Sequence, residues 1–228
     1  MISIIIPSYG QQDYLPDAID SVLQQTSINW ELIIVDDEGP DHSLEIANHY
    51  AEENPKITVI EQKNAGLAEA RNTGIKHAIG EYCLFLDADD MLMPNAVERI
   101  EKEITNGHEI IAPSLKEFGM NNNTVILLEN PILEDFRLGN RVGYCQAIKT
   151  SLLKEVGGYD PRMKWGYEDL HLTIKLLTHG AKIKTIPEVL WLYRIKGNSM
   201  ITTAKQHHRE LLDIINSDFP EAKLDFDA

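Results

Sequence analysis

The chain has 228 residues, 43% hydrophobic and 25% charged, which suits one generous domain, or one domain with a tail, and a substantial core. Its formal net charge of -15 repels nucleic acid and anionic membrane, so neither is an expected partner. An anionic substrate would need a metal or local cations to reverse the sign where it binds.

In chain order, a β-rich apolar strand is expected over residues 2–6, ended by Pro7. A helix follows over 13–25, where Leu15, Ile19, Val22 and Leu23 fall on one stripe. A buried strand over 32–35 runs into Asp36-Asp37, a helix spans 41–51 with Asp41 as a cap, and a third strand covers 57–60. A helix over 66–79 and a strand over 82–86, bounded by Gly80, complete a βαβαβαβ order. That order implies a parallel sheet covered by helices on both faces, with right-handed crossovers. Beyond Pro94 the spacing predicts a helix to about residue 104, strands over 109–115 and 124–128 joined by a Gly/Asn-rich turn, and a loop or short helix over 131–141. A strand over 143–149, a helix over 170–177 ended by Gly180, strands over 183–186 and 189–193, then a polar helix and an acidic tail close the chain. The expected division is a main domain over 1–202 and a C-terminal helix and tail over 203–228.

Cys83 and Cys145 form no CxxC or Cys/His spacing, which argues against zinc and for buried free thiols in a reducing compartment. The first residues lack the basic flank of a signal peptide, and no apolar stretch approaches the roughly 20 residues needed to span a bilayer. A cytoplasmic protein without a membrane span is expected.

The chemistry gathers at strand ends. Asp87-Ala88-Asp89 follows the buried run Tyr82-Cys83-Leu84-Phe85-Leu86 directly, and carboxylates there stand at the carboxyl edge of the sheet, where ligands bind in open α/β folds. Hard divalent cations take such oxygens and share them with phosphates. Asp36-Asp37 ends another strand, and Trp165-Gly166-Tyr167-Glu168-Asp169 supplies a further pair. Each acid alone also suits a helix cap; parallel strands, however, turn all these ends toward one cleft.

In order along the chain, Ile4-Ile5-Ile6-Pro7-Ser8-Tyr9, Leu32-Ile33-Ile34-Val35-Asp36-Asp37, the run from Asn64 to Gly74, Phe85-Leu86-Asp87-Ala88-Asp89-Asp90, the Trp165 to Asp169 motif, and Tyr193-Arg194 with Ser199-Met200 resemble an inverting family 2 glycosyltransferase of the GT-A fold. The resemblance covers roughly residues 2–200. It implies an α/β fold with a mostly parallel sheet, and a hexosyltransferase using Mn2+ or Mg2+, a UDP-sugar donor and a carbohydrate or other hydroxyl acceptor. It further implies that Pro7 and Tyr9 flank the base, that Asp37 accepts from a ring N–H such as uracil's, and that Arg71 reaches the base or diphosphate. Asp87 would face the ribose or a metal-bound water, Asp89 the metal, and Asp169 would be the general base. Glu168 and the rings of Trp165 and Tyr167 would desolvate that base, and Trp165 could stack on the acceptor sugar.

The family often carries a histidine as a further metal ligand where this chain has Lys196, and a charged lysine cannot ligate a cation. Lys196 is therefore expected on the diphosphate. Gly10 and Glu38-Gly39 are smaller departures, and His207-His208 reads as surface because adjacent residues do not share a helix face. Two alternatives accompany the main one. A sugar-phosphate nucleotidyltransferase would want a Gly-rich basic first loop, but residues 8–13 hold one Gly and no Lys or Arg. A homologue that binds nucleotide or glycan without turnover draws support from Lys196. No GxGxxG follows a strand, which sets aside a Rossmann dehydrogenase.

Overall fold

The computed structural model describes residues 1–197 and 200–227. Ser199, part of the last matching stretch, lies outside them. The chain runs β1 (Ile2–Ser8), α1 (Leu15–Leu23), β2 (Trp30–Asp36), α2 (Ser43–Glu53), β3 (Ile57–Glu61), α3 (Leu67–His77) and β4 (Tyr82–Phe85), as its periodicity dictates. It continues through β5 (Met91–Leu92), α4 (Ala96–Thr105), β6 (Ile110–Gly119), β7 (Thr124–Val125), a 3-10 turn (Leu133–Leu138), β8 (Ala147–Lys149) and α5 (Thr150–Val156). Last come α6 (Glu168–Thr178), β9 (Ile183–Ile195), α7 (Met200–Gln206) and α8 (His208–Asp218).

Nine strands form one sheet in the order β3-β2-β1-β4-β8-β6-β9-β5, with β7 beside β6. The long ladders, β1 with β2 and β4, β2 with β3, and β6 with β9, are parallel; the short ones made by β5, β7 and β8 are antiparallel. Ile2, Ile4, Ile5 and Ile6 of β1 are wholly buried, as a strand covered on both faces requires. Each such side chain contributes on the order of 1.5–3 kcal/mol.

Register aligns the carboxyl ends. Ser8 pairs with Asp36, and the ladder continues with Asp37 N donating to Ser8 O at 2.9 Å and Leu86 N donating to Ile5 O at 3.0 Å. Gly74 fixes how closely α3 approaches, since a Cβ there would lie 2.4 Å from Ile5 Cγ2. Arg71, three residues earlier on the same helix face, is thereby set over the sheet edge.

Several expectations shift. The strands expected over 183–186 and 189–193 are one strand, β9. Its register against β6 jumps from Pro113↔Ile186 to Ser114↔Val189, so Pro187, which has no N–H to give, falls in the bulge. The strand expected over 143–149 keeps only its last residues, and α5 follows it without a loop. The polar C-terminal segment is two helices and a tail whose Leu211, Leu212, Ile215, Ala222 and Leu224 join the core. Among the described residues, no helix is long and apolar enough to cross a membrane.

Candidate active site

A cavity of about 1020 Å³ opens along the carboxyl edge of β1, β2 and β4. Pro7, Tyr9, Asp37, Arg71, Asp87, Asp89, Glu168, Asp169 and Lys196 all line it; Trp165 does not. Six stretches distant in sequence thus meet around one cavity.

On the β2 side, Asp37 is 3% exposed and its carboxylate is heavily used. Its Oδ1 accepts from Gln62 Nε2 at 2.7 Å and Ala65 N at 2.9 Å, while Oδ2 accepts from Gly66 N at 2.8 Å. Asp37 therefore holds the turn that starts α3, and Oδ2 keeps a lone pair free. Gly66 sits at φ +88, a conformation a side chain would strain. Tyr9, half exposed, stands at the rim beside Pro7.

At the floor, Arg71 is wholly buried. It was expected at the base or diphosphate; instead its Nη1 donates to Glu168 Oε1 at 2.6 Å and its Nη2 to Asp87 Oδ1 at 2.7 Å. The rings of Tyr144 and Tyr159 lie 5.2 Å from its guanidinium carbon. Burial works against this charge, but Asp87, Tyr159 and Glu168 outweigh it and hold the group protonated. The arginine is a strut joining the β4 end to the start of α6. Burial also pushes the Asp87 carboxyl up to about 6, against the pull of Arg71.

Asp90 supports the turn it ends. It is buried and accepts from the Tyr144 hydroxyl and, at 2.7 Å, from Arg194 N, while Arg194 Nε donates to Asp89 O at 2.7 Å. Tyr144 in turn accepts from Asp87 N at 3.1 Å. The Asp87-to-Asp90 turn is thus clamped from β9 and from the segment before β8. Tyr193-Arg194 was visible as a motif without a role; Tyr144 carried no sequence signal, because its partner lies 54 residues away.

On the α6 side, Asp169 Oδ2 accepts from Asn140 Nδ2 at 2.7 Å, and Oδ1 from Leu170 N at 2.7 Å. Asn140 Oδ1 accepts from Val142 N and Gly143 N, which orients its amide. Burial, then the neighbouring Glu168, raises the Asp169 carboxyl to about 7. Such a group changes charge near neutral pH, which suits proton transfer.

Trp165 departs from its expected place on a sugar. It packs against the core, stacked on His207 with centroids 4.6 Å apart and planes 9° apart, and Lys164 Nζ lies 4.8 Å from its ring. His207 and His208 are likewise not a free surface pair. His208 is buried between the Tyr167 hydroxyl, 2.9 Å from Nδ1, and Phe226 O, 2.6 Å from Nε2. These contacts fold the tail back, and Phe226, Thr203 and Ala204 close the far wall of the cavity.

Lys196 Nζ sits 2.5 Å from Asp89 Oδ2, 3.4 Å from Gln11 Oε1 and 4.7 Å from the Tyr14 ring centre. For a divalent cation, the cavity thus offers chiefly the Asp89 carboxylate: Asp87 Oδ1 serves Arg71, and Asp90 serves Tyr144 and Arg194. Among the described residues, the one group of three His, Cys, Asp or Glu side chains close enough to share a metal is Asp160, His171 and Asp218, outside the cavity. Arg162 Nη2 already bridges its two carboxylates. A cation in the cavity would rest on Asp89, with phosphate and water oxygens completing its shell.

A sequence model of glycosyl transferase family 2 matches residues 3–170, more than half of the chain. An uncharacterized glycosyltransferase, EpsJ, of Bacillus subtilis is 31% identical over 219 residues, covering 88% of this chain and 62% of that protein. The chain therefore spans under two thirds of that relative's length. A poly(ribitol-phosphate) beta-glucosyltransferase of Bacillus spizizenii is 33% identical over 208 residues, 86% of this chain and 32% of that protein. Among solved structures, S. aureus TarS 1-349 in complex with UDP-GlcNAc superposes with a TM-score of 0.81 at 19% identity, covering 98% of this chain and 68% of that one. The mannosyltransferase PcManGT of Pyrobaculum calidifontis, in complex with GDP-Man and Mn2+, gives 0.72 at 18% identity, covering 97% and 68%. At these identities the structural likeness carries the fold alone, a mixed α/β sheet of the GT-A kind.

Proposed function

The chain belongs to glycosyl transferase family 2, and from that premise we propose that it is an inverting hexosyltransferase moving a sugar from a UDP-sugar to a hydroxyl of a glycan or similar acceptor. The supporting observation is the single cavity onto which Asp37, Asp87, Asp89 and Asp169 converge.

The nucleotide lies along the β1–β2 edge. Pro7 and Tyr9 flank the base, and the free lone pair of Asp37 Oδ2 accepts from its ring N–H. Asp87, pinned by Arg71, faces the ribose; Arg71 itself acts by positioning rather than by touching the donor. A divalent ion held by Asp89, Mn2+ or Mg2+, would supply charge neutralisation for the departing diphosphate. Lys196 supplies a further positive charge beside the same phosphates.

Inversion needs one displacement at the anomeric carbon, with the acceptor oxygen attacking opposite the leaving group. As that oxygen bonds to carbon its proton passes to Asp169, and the glycosidic electron pair leaves with the diphosphate. Glu168, salt-bridged to Arg71, keeps the α6 start in place. Lys164 on the cavity wall, with Arg137 and Arg141 in the segment before β8, favours an acceptor carrying negative charge. The unpaired thiols of Cys83 and Cys145 suit a cytoplasmic setting.

Thermal unfolding with a panel of UDP- and GDP-sugars, each with and without Mn2+, tests the donor. A ligand at a hundredfold its Kd stabilises by about 2.7 kcal/mol, a rise of several degrees. Failure of every nucleotide to shift the transition would overturn the assignment, and a product of retained anomeric configuration by NMR would overturn inversion.

A further inference from the structure

The Lys196–Asp89 pair blocks the position in which a cation would bind. Its ammonium lies 2.5 Å from Asp89 Oδ2, both side chains are 20% exposed, and Gln11 Oε1 and the Tyr14 ring hold the lysine from behind. A metal would have to displace a partly buried ammonium that already neutralises its best ligand. It would then repel that ammonium at close range. Of the neighbouring carboxylates, Asp87 Oδ1 is already committed to Arg71, and Asp90 to Tyr144 and the Arg194 backbone.

We propose that Lys196 guards Asp89 in the nucleotide-free protein, excluding divalent cations until a diphosphate arrives to take the ammonium. The inference rests on Asp89 being the cation ligand assigned above. A diphosphate offers the lysine alternative oxygens of greater charge, freeing Asp89 while adding metal ligands of its own. Metal and nucleotide then bind with positive coupling, each raising the affinity of the other by the same factor.

Mn2+ titrations of the full chain, followed by electron paramagnetic resonance of the free ion, read this without turnover. Without nucleotide, Lys196→Met and Lys196→His should each bind Mn2+ at least about tenfold more tightly than the wild type. Adding Asp89→Asn to Lys196→Met should erase the gain, and UDP should tighten Mn2+ binding to the wild type. Equal nucleotide-free affinity in wild type and Lys196→Met, or a gain that survives Asp89→Asn, would overturn the guard. A wild type that never takes UDP would overturn the donor assignment and the hand-over with it. The nucleotide-free titrations would still decide whether Lys196 shields Asp89.

Discussion

The two walls of the cavity solve opposite problems. The β1–β2 wall settles its acid: Asp37 accepts from Gln62 and from two successive backbone N–H groups, and its charge serves to fix a turn. The α6 wall keeps its acid unsettled: Asp169 is raised to about 7 by burial and by Glu168, which outweigh the Arg71 charge and the hydrogen bonds from the Leu170 N–H and Asn140. One wall is rigid and holds a ligand still. The other stores a proton affinity that chemistry can use, at some cost to stability.

The contrast breaks most readily at Asp169. Asp169→Asn should lower kcat/KM roughly 10²–10⁴-fold, the range for a lost general base, with the fold intact by circular dichroism. Stability should move the other way. The folded-state pKa of Asp169 lies above the unfolded carboxylate value near 3.9. The folded wild type therefore holds an extra proton between about pH 4 and about pH 7, and its stability falls as pH rises through that window. Asparagine does not titrate, so the variant should gain on the wild type over that interval, with a constant gap above it. An activity loss below tenfold would remove Asp169 from the reaction.

Arg71→Met comes next. It leaves Asp87 and Glu168 without their shared cation, so the urea midpoint should fall by the equivalent of about 3–5 kcal/mol. A change of a few tenths would mean that Arg71 braces nothing.

Asn140→Ala should cost about 1–1.5 kcal/mol of transition-state stabilisation, roughly tenfold in kcat/KM at neutral pH. Because the lost hydrogen bond favours the ionised carboxylate, the acidic limb of the pH profile should move upward. A lowered rate with an unmoved limb would make Asn140 a packing residue only.

On catalysis, the smallest effect belongs to the rigid wall. Gly66→Ala should cost about 1–3 kcal/mol for a strained φ, and weaken UDP binding through the Asp37 turn without altering the pH profile.

Sequence patterns foretold the rigid wall far better than the reactive one. Strands over 2–6, 32–35 and 82–86 show as apolar runs, and acids at their ends converge because successive βαβ crossovers turn parallel strands the same way. The surroundings of Arg71 and Trp165 escape the sequence for a shared reason: a helix or loop position does not disclose which distant side chains surround it. Arg71 is claimed by Glu168, 97 residues on, and Trp165 by His207. The single β9 escaped notice because Pro187 resembles a strand terminator, whereas in the sheet it occupies a bulge. Lys196 stood out by its residue type, but its partner Asp89 emerges only once β9 returns past the β4 end.

The buried strut has a consequence for how the polypeptide reaches its native state. Asp87, one counter-ion of Arg71, lies 16 positions away and arrives with the first few elements; Glu168, the other, lies 97 away and arrives late. Until α6 docks, α3 must either seat a half-compensated guanidinium under the sheet or stay loose from Ile5. The opening βαβ half, which looks like an autonomous unit, is therefore bound to the second half in one cooperative transition, and severing them should yield two unfolded pieces rather than one folded one.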